Sequence, residues 1–134
     1  MVDFYLLDTD TYIYLAGGNA SVLKKIEEVG EDKIALTSIS AAELYYGAYR
    51  SAKLKDNLLH LETVLAETPI KVFDFRAARI FGRIKNLLKK NGFNSADFDL
   101  AIAGIALANQ ACLVTNNLKD FSHIPDLVLE NWVR

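Results

Sequence analysis

Two aspartates stand two residues apart in YLLDTDTYIYL, Tyr5 to Leu15, directly after an apolar run. Tyr5, Leu6 and Leu7 read as the end of a buried strand, so Asp8 falls where that strand leaves the core. Further acids follow at long intervals: Glu43 in SAAE, Asp97 and Asp99 in ADFD, Asp120 in TNNLKDF. Carboxylates gathered in one place repel one another and lose solvation. A cluster that stays charged at neutral pH therefore calls for a cation. All-oxygen ligands suit the hard ions Mg2+ and Mn2+. Zinc is disfavoured, because His60 and His123 show no ligand spacing and Cys112 is the only cysteine. Both histidines read as surface or loop residues.

Whether these acids meet depends on the elements that carry them. Asp3 to Leu7 reads as a first strand. A short helix runs from about Thr11 and breaks at Gly17-Gly18, and a polar helix runs from Ala20 to Val29, stopped by Gly30. KIALTSI, Lys33 to Ile39, reads as the second strand. Ser40 opens a helical region that runs toward Ala66 as two helices. IKVFDF is a third strand. A helix from about Arg76 to Lys90 follows, closed by Gly92 in the C′ position. Asp97 to Asn109 is another helix, and CLVTN and LVLEN are the last strands. Strands separated by helices predict a three-layer α/β/α fold with a mainly parallel central sheet, in one domain spanning 1–134. The continuous apolar character of strands one and four fits strands covered on both faces.

In such a sheet the C-terminal strand ends share one edge, where ligands bind. Asp8 lies just past strand one, Glu43 in the first turn after strand two, and Asp120 past strand four. Asp99 opens the helix that feeds strand four. That helix runs against its strand, so its start lies at the same edge. Each acid also has a structural reading. SAAE fits a capping box with Ser40 as the cap. Asp97 fits an N-cap, Asp99 a residue that favours the helix dipole, and Asp120 a turn. Asp8 has the least structural work of the four, and the convergence is harder to explain structurally than any single acid.

Composition sets outer limits. The net charge of −2 gives no global pull toward nucleic acid, so such a partner needs a local basic surface. Cys112, within ACLV, reads as a small core residue in preference to a reactive thiol. A lone cysteine excludes an internal disulfide framework and favours a reducing cytoplasm. MVDFYLL lacks the pattern of a signal peptide. The longest apolar stretch, LAIAGIALANQACLV, is interrupted by Asn109 and Gln110 and falls short of the roughly 20 residues a membrane span needs. The expectation is a soluble cytoplasmic protein with no membrane partner.

Four segments, LLDTDTYIYL, TSISAAELYYGA, FDLAIAGIALANQACLVTNNLKDF and IPDLVLENW, together resemble PIN-domain ribonucleases, more narrowly the VapC-type toxins of toxin–antitoxin pairs. They occur in the family's order over nearly the whole chain. The resemblance implies a metal-dependent endoribonuclease that cleaves RNA phosphodiester bonds and is silenced by a small cognate VapB-like antitoxin; a homodimer is a separate expectation. It carries the family's acids onto Asp8, Glu43, Asp99 and Asp120. Asp8, Glu43 and Asp99 would then hold one Mg2+, with Mn2+ able to substitute and Asp120 helping directly or through water. Thr115 and Asn116 match the polar pair near the fourth acid, with Asn116 orienting water or a phosphate oxygen. Thr9 matches the small hydroxyl residue beside the first acid. Asp10 and Asp97 fall on variable positions.

Two rival readings remain. LLDTDT also resembles the D-x-D motif of haloacid-dehalogenase-type phosphatases, with Asp8 as nucleophile and Asp10 as acid/base. Tyr12 stands where that motif carries Thr or Val, and the pair Asp97 and Asp99 opens a helix instead of following a strand. The other rival is a catalytically inactive PIN fold kept as a binding module. It would have lost a core acid, whereas Asp8, Glu43 and Asp99 are all present.

Beyond the acids, Arg76, Arg79, Arg83 and Lys90 fall within about a quarter of a helix circumference. They read as a phosphate track beside the acidic site or as a solvated face. Ile80, Ile84, Leu87 and Leu88 point to the core. Tyr45, Tyr46 and Tyr49 could stack on RNA bases, form a homodimer contact or line the antitoxin groove, and core packing is an equal reading. Gly104, inside a helix, reads as a close-packing residue.

Overall fold

Alternation along the strands builds the layers. The structure, a computed structural model, describes residues 2–133. Strand β1 (Tyr5–Leu7) sends Leu6 to one face and Leu7 to the other, and both are fully enclosed. Around it lie β2 (Ile34–Thr37), β3 (Ile70–Lys71), β4 (Cys112–Val114) and β5 (Val128–Glu130), in the order β3-β2-β1-β4-β5. Every pairing is parallel; Leu6 faces Ala35 on one side and Leu113 on the other. All four residues of β2 and all three of β4 are buried, the signature of strands covered on both faces.

Two cores follow from the period of two along each strand. Leu6, Ala35 and Leu113 pack with α5 (Phe75–Lys90), α6 (Asp97–Ala108) and Phe121 of α7 (Leu118–Phe121). Leu7, Leu36, Cys112 and Val114 pack on the other face with Val22 and Ile26 of α2 (Ala20–Val29) and with Trp132. Tyr12 and Leu15 of α1 (Thr9–Ala16), Leu44 of α3 (Ser38–Arg50) and Leu65 of α4 (Leu54–Glu67) flank that second core. Trp132 stacks obliquely on Tyr5 and donates through Nε1 to Glu130, which fixes the last strand. Burial, then the neighbouring Glu130 carboxylate, pushes the Cys112 thiol up to about 12, so it behaves as a core residue. Among the described residues no helix is long and apolar enough to cross a membrane.

Helix α6 is buried along almost its whole length, and α5 packs across it at Gly104. A Cβ on Gly104 would stand 2.8 Å from the Ala77 carbonyl oxygen, which is backbone and cannot swing away. Gly104→Ala gains helix propensity but forces the two helices apart. The net expected loss is about 1–2 kcal/mol, from overpacking outweighing propensity. Urea unfolding of the variant checks it.

Local hydrogen bonds move several boundaries away from the sequence expectation. The second strand stops at Thr37, whose Oγ1 accepts from the Ser40 amide at 3.0 Å and caps α3. Ser40 thus sits inside the first turn, and the SAAE capping box does not form. Strand β3 is only two residues long, because the Asp74 carboxylate accepts from the Ala77 amide and starts α5. Ala96, not Asp97, precedes α6; Asp97 instead pairs with Lys85 at 2.8 Å. Leu87 is exposed, so the core side of α5 rests on Ala77, Ile84 and Leu88. Gly92 does close α5, with φ +82°, the Gly92 amide donating to Lys89 and the Phe93 amide to Leu88.

Candidate active site

The end of β1 is tied to the end of β4 before any acid is considered. The Asp8 amide donates to the Val114 carbonyl at 3.0 Å, and the Thr11 hydroxyl donates to the same oxygen. Asp8 is buried, and both of its carboxylate oxygens are held. Oδ1 accepts from the Thr11 amide at 2.8 Å, which makes Asp8 the N-cap of α1 and starts that helix at Thr9. Oδ2 accepts from the Thr115 hydroxyl at 2.6 Å. The expectation that Asp8 has little structural work is therefore overturned. Each oxygen keeps a further lone pair, so the cap and a ligand role are compatible.

The other acids are oriented in the same way. Glu43, on α3, accepts through Oε1 from the Thr9 hydroxyl at 2.6 Å. Asp120, on α7, accepts through Oδ2 from the Asn117 amide group at 2.6 Å. The Asn117 backbone amide donates in turn to Thr115 Oγ1. Thr115 and Asn117 thus form a chain of hydrogen bonds linking the first acid to the fourth. Asp99 stands in the first turn of α6 without such a partner among the described residues. Its carboxyl is pushed up to about 6, first by burial and then by the charges of Asp120, Glu43, Asp8 and Asp10.

Asp8, Thr9, Asp10, Glu43, Asp99, Ile102, Asn117 and Phe121 line one cleft of about 110 Å3. Asp120 lines an adjoining cavity that shares Asp99. Asp10 is exposed at the rim. Asn116 is turned elsewhere: its side-chain oxygen accepts from Asn131 at 3.2 Å. The asparagine at the cleft is Asn117, which sequence reasoning passed over. Its signal was its place three residues before Asp120 in a short helical turn, the spacing of a capping residue.

The donors converging here are all oxygen, and their mutual repulsion is what a hard divalent cation would relieve, so the set fits such an ion. Among the described residues no three Asp, Glu, His or Cys side chains are gathered tightly enough to chelate an ion as they stand. Ligation of one ion by these acids would require their side chains to turn inward; Thr9, Thr115 and Asn117 hold Glu43, Asp8 and Asp120 as they stand, while Asp99 has no such partner among the described residues.

The basic stripe does not begin beside these acids. Arg76 donates to the Ala108 carbonyl at 2.6 Å, at the C-terminal end of α6. Asp99 is at the other end of that helix, whose 12 residues span about 18 Å. Arg79 and Arg83 continue from Arg76 along a separate cavity. Tyr46 and Tyr49 are exposed, with Arg50 over the Tyr46 ring, and Tyr45 is half-buried. A groove of about 450 Å3 between α1, α3 and α4 runs along Tyr12, Ile13, Leu44 and Leu61 to Thr9 and Glu43. The three tyrosines lie outside its lining.

Comparison with known proteins agrees with this architecture. The PIN domain family model matches residues 5–127. Ribonuclease VapC2 of Rickettsia felis is 36% identical over 96% of this chain and 97% of its own length. The tRNA(fMet)-specific endonuclease VapC of Salmonella typhimurium is 30% identical over 96% of this chain and 97% of its own. Among solved structures, VapBC2 from Rickettsia felis bound to a promoter DNA fragment superposes with a TM-score of 0.87 at 35% identity, covering 96% of this chain and 98% of the other. DNA-bound VapBC from Salmonella typhimurium gives 0.88 at 29% identity, covering 98% and 99%. With both sequence and fold matched over nearly their full lengths, the chain belongs to the PIN-domain family, among its VapC-type ribonucleases.

Proposed function

We propose that this chain is a Mg2+-dependent endoribonuclease, with Mn2+ able to substitute, and that it acts as the cytoplasmic toxin of a toxin–antitoxin pair. The observation that carries the reading is the convergence of Asp8, Glu43 and Asp99, from three separate elements, on one cleft at the C-terminal edge of the sheet. Asp8, Glu43 and Asp99 would hold the ion, with Asp120 joining from the adjoining cavity. Such an ion supplies positive charge for the scissile phosphate and an acidified water as nucleophile. The protein's own contribution is orientation: Thr115 holds the Asp8 carboxylate, Thr9 that of Glu43, and Asn117 that of Asp120. Of the two asparagines, Asn117 has its amide at the cleft and takes the role of positioning water or a phosphate oxygen. Asn116 braces the end of β5 through Asn131.

The solved relatives are complexes of a toxin with its antitoxin, by their descriptions. For this chain the groove between α1, α3 and α4 supports a like partner, a small VapB-like antitoxin with an apolar segment along Leu44 and Leu61. The groove ends at Glu43, so a guanidinium at the partner's tail would reach the acids and pair with them. A homodimer completes the proposed assembly.

Expression of the wild-type chain alone in bacteria should arrest growth, and Asp99→Ala should relieve the arrest. Purified wild type should release fragments from RNA with Mg2+ or Mn2+ and none with chelator. Harmless expression of soluble wild type, together with no cleavage of total RNA in vitro, would remove the toxin reading.

A further inference from the structure

Asp99 and Asp120 stand on elements that do not cap themselves. Helices α6 and α7 both start without a side-chain hydrogen bond at the cap, and α7 is only four residues long. A helix that short has little stability of its own, so tertiary contacts must hold Asp120 in place. Phe121 and Ile124, both buried, anchor the segment to the core. Between them in sequence stands His123, which lines a cavity of about 160 Å3 together with Asn94, Ser95, Ala96, Asp99 and Asp120.

His123 is held twice by the loop that leads into α6. Its ring lies flat on Phe93, centroids 4.6 Å apart and planes 11° from parallel. Its Nε2 and the Ser95 hydroxyl share a hydrogen bond of 2.9 Å. Phe93 is fixed in turn by the end of α5, where its amide donates to the Leu88 carbonyl. Ser95 lies four residues before Asp99, and His123 three residues after Asp120. One imidazole therefore bridges the two segments that carry these acids. Like charges drive such carboxylates apart, and the bridge opposes that drift. It adds little to the core, since Phe93 remains 45% exposed and Ser95 and His123 are half-buried.

We propose that His123 is a positioning residue of the metal site: through Phe93 and Ser95 it fixes the α7 segment against the start of α6, and so brings Asp120 within reach of the ion that Asp8, Glu43 and Asp99 would hold. The inference rests on the metal-dependent nuclease reading and deepens it, because it says what recruits the fourth acid. His123 acts through Asp120 and touches neither the ion nor the RNA.

The test is a double-mutant cycle read on Mn2+ affinity. Wild type, His123→Ala, Asp120→Asn and the double variant are titrated with Mn2+ by calorimetry on the full chain, after thermal unfolding in chelator shows that each is folded. His123→Ala should weaken Mn2+ binding about 10-fold, the low end of the cost of removing a group that orients a ligand. Asp120→Asn should weaken it at least as much, and adding His123→Ala to it should cost little more. His123→Phe, which keeps a ring for Phe93 and loses the bond to Ser95, should match Ser95→Ala, with both losses smaller than that of His123→Ala. In RNA cleavage the Mn2+ concentration for half-maximal rate should rise in His123→Ala, with kcat at saturating Mn2+ near that of wild type. Unchanged Mn2+ affinity in folded His123→Ala, or losses that multiply with Asp120→Asn, overturns the positioning role and leaves the nuclease reading intact. Should His123→Ala fail to fold, Ser95→Ala in the same cycle decides, with the same outcomes. A wild type that binds no Mn2+ overturns the metal site and this inference together; one that binds Mn2+ as expected but cuts no RNA overturns the nuclease reading alone.

Discussion

Asp8→Asn should lower RNA cleavage at least about 100-fold, since even residues that only orient metal ligands cost 10- to 100-fold when removed. Asp10→Asn should cost less than about fivefold, the ceiling for an exposed, screened charge. The two aspartates lie two residues apart and both line the cleft, yet their surroundings differ. Asp8 is fixed by the Thr11 amide and the Thr115 hydroxyl, while Asp10 has no such anchor among the described residues and stands in solvent. Asparagine is itself a good N-cap, so Asp8→Asn keeps the start of α1 and removes charge above all. Thr115→Val keeps the shape of the side chain and deletes the donor to Asp8 Oδ2. It should fall between the other two, about 10- to 100-fold down. Single-turnover cleavage of one RNA by the three variants, each shown to be folded, measures the ranking. Equal losses at Asp8 and Asp10, with hydrolysis of a small phosphomonoester by wild type, would transfer the site to the D-x-D phosphatase chemistry.

What could be read in the sequence was what depends on order and period. Parallel strands joined by helices bring the exits of β1 and β2 and the start of the helix feeding β4 to one edge whatever the exact boundaries, so Asp8, Glu43 and Asp99 could be placed together without knowing a single contact. Local hydrogen bonding was harder. TSIS offers three hydroxyl residues, and Thr37 becomes the cap only because β2 ends there, beside β1. The same limit hid the structural half of Asp8, because its partner Thr115 is 107 residues away. It also exchanged the asparagines: one residue past a strand exit decides whether a side chain meets Asn131 or the cleft. Arg76 stayed open between a phosphate track and a solvated face because helix spacing says nothing about which end of the neighbouring helix it meets.

Asp99 carries the sharpest thermodynamic test of the site. Its carboxyl titrates at about 6 in the folded chain, against an ordinary 3.8, through burial and the charges of the surrounding acids. A raised acid favours the folded state while protonated. That stability is full below about pH 3.8 and is lost as pH rises through about 6. At pH 7.5 in chelator the charged Asp99 therefore burdens the fold. Asp99→Asn should melt higher than wild type there, and its melting temperature should fall less between pH 4 and pH 7.5. A divalent cation reverses the order, because it binds the folded state and is held by the charged acids. Mn2+ at about 100 times its dissociation constant should add roughly 2.7 kcal/mol to wild type, and much less to Asp99→Asn. Thermal unfolding of both proteins, with chelator and with Mn2+ at constant ionic strength, gives all four corners. If Asp99→Asn is the less stable protein in chelator and still gains fully from Mn2+, the carboxylate serves the start of α6. Asp99 would then leave the ligand set, and Asp8, Glu43 and Asp120 would have to hold the ion without it.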